Sequence, residues 1–153
     1  MAKVHHSAIV TRDVEASLVF WRDGLGLDVI MDETFEGPWP ELFGTASTKL
    51  RSVFLGDVAA GDSGVVELVA TEGATATDVG VPRPAEGFFL LSLFADLDEV
   101  LPRLAALGVG GEAKVADLGP TRLAVVYDPD GVRVELMDTA ARSTLDRLTG
   151  DDR

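Results

Sequence analysis

The sequence contains no cysteine. That excludes a disulfide framework, thiolate zinc sites, iron–sulfur clusters and a cysteine nucleophile. Positive charge is scarce: 13 Lys+Arg stand against 26 Asp+Glu, a net charge of −13. Such a field repels nucleic-acid backbones and anionic membrane surfaces, so neither is an expected partner. Solubility is the simplest use of the excess acid. No apolar run approaches the roughly 20 residues of a membrane span. The opening Met1-Ala2-Lys3-Val4-His5-His6 lacks the apolar stretch of a secretory signal, and a cytoplasmic protein is expected. No nucleotide-binding loop or Ser–His–Asp pattern is visible.

What remains is ordinary globular material, 46% hydrophobic and 25% charged over 153 residues. A chain of this length forms one domain, 1–153, with a core that needs no staples. Residues 4–11 read as a strand, and Asp13 caps a helix in which Val14, Leu18 and Trp21 share a face. Gly24 stops it, and 27–35 form a second strand. Two prolines exclude a regular strand from Glu36 to Gly44, leaving a loop or short helical turn. Strands follow at 49–55 and 65–69, joined by a turn-rich stretch from Gly56 to Gly64. The Gly-, Ala-, Thr- and Pro-rich residues 72–86 read as a linker.

After the linker the order repeats. Residues 88–94 form a strand, and Asp96 or Asp98 caps a helix running to Leu107 and ended by Gly108. Pro102 argues against a long helix unless it sits in the first turn. Strands follow near 109–117, 121–127 and 132–137, the last two joined by the turn Asp128-Pro129-Asp130-Gly131. Residues 139–153 form a tail in which Leu145 and Leu148 suit a short docking helix. The modules are thus 4–71 and 87–138, each β-α-β-β-β. Matching offsets support the duplication. His6 precedes Asp13 by seven residues, as Phe89 precedes Asp96, and Arg51 precedes Asp57 by six, as Arg122 precedes Asp128. Each module ends on an apolar strand carrying one glutamate, Glu67 or Glu135.

An unpaired carboxylate in an apolar strand is costly, so each glutamate needs a reason. Alternation places Val65, Glu67 and Val69 on one face, and Arg133, Glu135 and Met137 likewise share one. With helices on the other face, two such sheets side by side make an α+β fold with a sheet-walled cleft. His6, Glu67 and Glu135 are expected to converge in it. Arg51, Arg122 and Arg133 are the candidates to pair a buried glutamate. His5 is expected on the face opposite His6.

In these features the chain resembles the vicinal oxygen chelate superfamily, which includes glyoxalase I, methylmalonyl-CoA epimerase, extradiol dioxygenases and bleomycin-resistance proteins. The carriers are His6-Ser-Ala-Ile-Val-Thr-Arg-Asp13, Glu15-Ala-Ser-Leu-Val-Phe-Trp21, Gly24-Leu-Gly-Leu27 and Asp128-Pro-Asp-Gly131-Val-Arg-Val-Glu135-Leu. The resemblance implies metal ligands on the first and last strand of each module, here His6, Glu67, Phe89 and Glu135. Phe89 cannot bind a metal, and glyoxalase-like members have histidine there. The remaining three suffice for a divalent ion (Zn, Ni, Mn, Fe or Mg), with Glu135 or Glu67 as proton-transfer base.

The implied function is a metal-dependent lyase, isomerase or epimerase acting on a small oxygen-rich substrate through a stabilised enediolate or enolate. The alternative is a metal-free, non-catalytic protein that sequesters an apolar small molecule. Arg51 and Arg122 suit a substrate carboxylate or phosphate, with salt bridges as the plainer use. Trp39 and Phe43 suit a lid, and Phe89 makes the cleft more apolar. The resemblance also implies a homodimer.

Overall fold

The computed structural model describes residues 4–60, 64–74, 87–118 and 122–139. The linker residues 75–86, loop residues 61–63 and tail residues 140–153 lie outside them. The chain forms two compact units, residues 1–78 and 79–153.

The first unit runs β1 (His6–Val10), α1 (Val14–Leu18), β2 (Asp28–Glu36), α2 (Trp39–Phe43), β3 (Lys49–Gly56) and β4 (Val65–Ala70). Its sheet has the order β1-β4-β3-β2, with β1 parallel to β4 and the other pairs antiparallel. The second unit repeats this as β5 (Leu91–Ala95), α3 (Leu97–Leu107), β6 (Gly110–Asp117), β7 (Arg122–Tyr127) and β8 (Arg133–Asp138). Its order is β5-β8-β7-β6, with β5 parallel to β8. In each unit the glutamate strand therefore pairs with the first strand.

Both helices start as their aspartates require. Asp13 accepts from the Ala16 amide, and Asp96 accepts from the Asp98 and Glu99 amides. Gly108 ends α3 in the left-handed conformation, φ 69°, which a side chain would strain. The helix nevertheless runs through Pro102, well past its first turn. Proline removes one amide bond there, and both Pro102 and Asp98, whose carbonyl loses that donor, are exposed to water. Strand β5 begins at Leu91 rather than at residue 88, because its ladder begins at Leu91 opposite Val134 near the start of β8.

α1 continues into a wider turn, Val19–Gly24, in which the Leu25 amide reaches back five residues to the Phe20 carbonyl. The widening matters for packing. Consecutive residues of an α-helix diverge by about 100°, yet Phe20 and Trp21 are both fully buried. Their rings meet edge to face, with centroids 5.0 Å apart. Around them Val14, Leu18, Val53, Leu55, Val66 and Leu68 make up much of the first unit's core. Leu97, Val100, Leu104, Ala124, Val126, Val134 and Leu136 play this part in the second.

Each helix is also tied electrostatically. Arg51 bonds Asp32 on β2 through two nitrogens, at 2.9 and 2.7 Å, and reaches Glu15 of α1 at 3.5 Å. Arg122 bonds Asp138 on β8, at 2.7 Å, and Asp98 of α3, at 3.0 Å. Glu15 and Asp98 both stand two residues after the helix cap, so the duplicated arginines grip corresponding points.

Two outcomes follow. Trp21→Ala should cost about 3–5 kcal/mol in urea unfolding, as large-to-small changes at fully buried aromatics do. Arg51 holds the Asp32 carboxyl below its ordinary range by direct hydrogen bonding. That contribution is present above pH 4 or so and fades as pH falls through the lowered value. The stability gap between wild type and Asp32→Asn should therefore be largest near neutrality and shrink in acid-titrated thermal melts.

Candidate functional site

In both units the face opposite the helix carries the glutamate. Register places Ala8, Glu67 and Phe54 side by side, with Ser52 opposite Val69 on the same face. His6 stands two residues before Ala8 on that face. His6 Nε2 lies 3.1 Å from Glu67 Oε2, and the Ser52 hydroxyl donates a short hydrogen bond to Glu67 Oε1. Glu67 is largely covered, with its side chain 13% exposed, so both carboxylate oxygens are engaged where water is scarce. Phe54 packs beside the His6 ring at 5.2 Å.

His5 does not turn away from His6. It precedes the strand, and its Nδ1 lies 2.8 Å from His6 Nδ1. Its ring also approaches Phe54, at 5.9 Å. His5 lies ahead of the ladder, which begins at His6, so strand alternation does not fix its side.

In the second unit Glu135 stands opposite Ser92, whose hydroxyl donates to Glu135 Oε2 at 2.7 Å. Among the described residues Glu135 Oε1 has no hydrogen-bonding partner. No arginine holds either glutamate among the described residues. Phe89 lies ahead of β5, half exposed, with the Arg133 guanidinium 4.8 Å from its ring centroid. Counted from the residue opposite the glutamate, His6 corresponds to Leu90 rather than Phe89. The two modules differ by one residue between strand and helix cap, which the seven-residue offset conceals. Neither Phe89 nor Leu90 is a metal donor.

The other expected residues fall elsewhere. Arg51 and Arg122 alternate onto the helix-covered faces, bound to the carboxylates described above. Trp39 and Phe43 form a stacked pair on α2, with centroids 5.7 Å apart and planes 4° apart. The Trp39 indole donates to the Phe35 carbonyl and lies over Gly37, where a Cβ would come within 2.8 Å of it. Phe43 remains 68% exposed. A groove of about 450 Å³ lies at the far end of the first sheet, lined by Thr11, Lys49, Arg51 and Thr71 among others.

Sequence reasoning missed Ser52 and Ser92. Each is a lone hydroxyl inside an apolar strand, Leu50–Leu55 or Phe88–Phe94, and that isolation was the available signal.

The unit-one pair passes a simple test for a metal. Two ligands about 2.1 Å from one ion, at right to tetrahedral angles, lie about 3.0–3.4 Å apart. The His6–Glu67 gap of 3.1 Å fits, and imidazole with carboxylate suits a first-row divalent ion. Among the described residues, no three His, Asp or Glu side chains are grouped so that they could hold one ion.

Comparison with known proteins bears on the same strands. The profile of the Glyoxalase/Bleomycin resistance protein/Dioxygenase superfamily matches residues 3–136. A lactoylglutathione lyase-like protein of Aspergillus terreus is 40% identical over 146 residues, covering 88% of this chain and 74% of its own. A glyoxalase family protein from Bacillus cereus superposes with a TM-score of 0.72 at 18% identity, over 90% of this chain and 94% of its own. The trypanothione-dependent glyoxalase I of Leishmania major superposes at 0.68 and 22% identity, over 99% and 95%.

The geometry fixes a proton position. With Nε2 facing a carboxylate, His6 should carry its hydrogen on Nε2 in metal-free protein and accept from His5 at Nδ1. Long-range ¹⁵N–¹H NMR of the imidazoles reads this directly, and an Nδ1–H tautomer at His6 would contradict the arrangement.

Proposed function

The chain belongs to the Glyoxalase/Bleomycin resistance protein/Dioxygenase superfamily, and from that premise we propose that it is a metal-dependent lyase, isomerase or epimerase acting on a small oxygen-rich substrate. The observation that carries the proposal is the His6–Glu67 pair, spaced as two neighbouring ligands of one ion. His6 and Glu67 would hold a divalent cation in this reading, and Glu135 takes the position corresponding to Glu67 in the second module. A cation held there would supply Lewis-acid polarisation of a substrate carbonyl or carboxylate.

The chain's own residues divide the remaining work unequally. Glu67 accepts from Ser52 with one oxygen and turns the other toward His6, so it is placed to hold a cation rather than to move protons. Glu135 has one oxygen fixed by Ser92 and one without a partner among the described residues. A carboxylate held at one oxygen and open at the other is what a general base needs, because the proton must reach an oriented lone pair. Ser52 and Ser92 therefore act as orienters of the two carboxylates.

A second reading has one specific observation behind it. The second module places phenylalanine and leucine where a further ligand would stand, which favours binding without turnover of an apolar molecule.

Metal content separates the two. Protein purified without chelators or a histidine tag, then offered manganese, iron(II), nickel or zinc, should hold close to one ion per chain by plasma mass spectrometry. His6→Ala and Glu67→Ala should each lower its affinity by at least about tenfold, the scale of losing a ligand or its support. Wild-type protein that takes up none of these ions would remove the metal-dependent reading and leave the binding one.

A further inference from the structure

On the Glu135 face of the second sheet we infer a binding site for a small carboxylate, with Arg133 as its anchor. The inference rests on the preceding reading only in treating that face as the substrate's.

Arg133 lies two residues before Glu135 on β8, and alternation puts both on the same side. Its situation differs from that of the paired arginines. Arg22, Arg51 and Arg122 each grip a carboxylate at 2.7 Å. Arg133 has no carboxylate within ion-pairing distance among the described residues, in a chain with twice as many acids as bases. Among the described residues its one close partner is the Phe89 ring, 4.8 Å from the guanidinium carbon. A ring leaves the in-plane N–H fork unsatisfied while restraining the long side chain. The fork matches a carboxylate's two oxygens, and a restrained side chain loses less freedom on binding.

The neighbours fit this ligand. Tyr127 stands opposite Arg133 and Val125 opposite Glu135, giving the face an aromatic and aliphatic floor. Lys114 follows Val125 in the row that includes Glu135, a second cation without a carboxylate partner among the described residues. Glu135 is the acid closest along the strand, and it repels a bound anion unless the ligand's charged end stays at Arg133. That polarity turns the uncharged part of the ligand toward the base. A small organic acid with an apolar body meets these conditions, whereas its neutral counterpart gains nothing from the fork.

The test uses metal-free, full-length protein, benzoate as probe and benzamide as its neutral analogue. NMR follows the Arg133 Nε–Hε signal and the backbone amides during titration. Benzoate should shift the Arg133 signal saturably, and benzamide should not. Arg133→Gln should weaken benzoate by about tenfold or more, and Arg133→Lys, which keeps charge but loses the fork, should weaken it severalfold. If Arg133→Gln fails to fold, the lysine variant decides alone. Equal binding of benzamide, unchanged affinity in the Arg133 variants, or no saturable shift in wild type would each overturn the inference. Because the protein is metal-free, benzoate binding through Arg133 stands even if the chain takes up no ion, and metal uptake stands even if benzoate fails.

Discussion

A carboxylate in the middle of an apolar strand is the constraint around which each sheet is arranged. Water cannot easily reach Glu67, so the protein must supply its hydrogen-bond partners. It does so from the two strands flanking β4, with His6 on β1 and Ser52 on β3. The pairing of the first strand with the last brings β1 next to the glutamate. The crossover from β1 into the rest of the unit passes through α1, which then covers the opposite face. Strand order, helix placement and the open glutamate face thus follow together. The second unit keeps the plan but answers the constraint differently, with Ser92 on one oxygen and nothing described on the other.

Much of this was legible in the residues. The caps Asp13 and Asp96, the stops Gly24 and Gly108 and the strand periodicity set the element order. The position of Glu67 and Glu135 within apolar runs marked the face opposite the helix. Of the expected convergence of His6, Glu67 and Glu135, the first unit by itself sets His6 3.1 Å from Glu67. Local pattern was less able to assign partners. Arg51 and Arg122 were conspicuous because they recur, yet recurrence reflects their shared task of gripping a helix start. One residue of alternation sends them to the side away from the glutamates, a difference that spacing to a downstream aspartate does not reveal. The seven-residue offset misled in a similar way. It matched Phe89 to His6 through the helix caps, but the hydrogen-bond ladder matches Leu90. The fold-back of His5 onto His6 depends on where pairing begins, which no single strand's sequence specifies.

The two units also divide charge by face. On the helix side, cations meet anions in closed sets, Arg51 with Asp32 and Glu15, and Arg122 with Asp138 and Asp98. These exposed pairs add orientation more than stability, since solvent screens them. On the glutamate side of the second unit, Arg133 is held by a ring instead of an acid. The asymmetry separates side chains that brace the fold from side chains whose polar groups stay available.

The widened turn after α1 sets a limit on how far the duplication extends. One additional residue per turn allows neighbours Phe20 and Trp21 to enter the same core. α3 has no such turn, and its buried residues Leu97, Val100 and Leu104 keep ordinary helical spacing. The helices are therefore not interchangeable parts. A chimera carrying α3 in place of α1 would leave the volume of two aromatic rings unfilled, and the reciprocal exchange would force an indole into a space shaped for leucine. Each sheet is thus fitted to its own helix, and the sequence repeat does not carry over to the shape of the two cores.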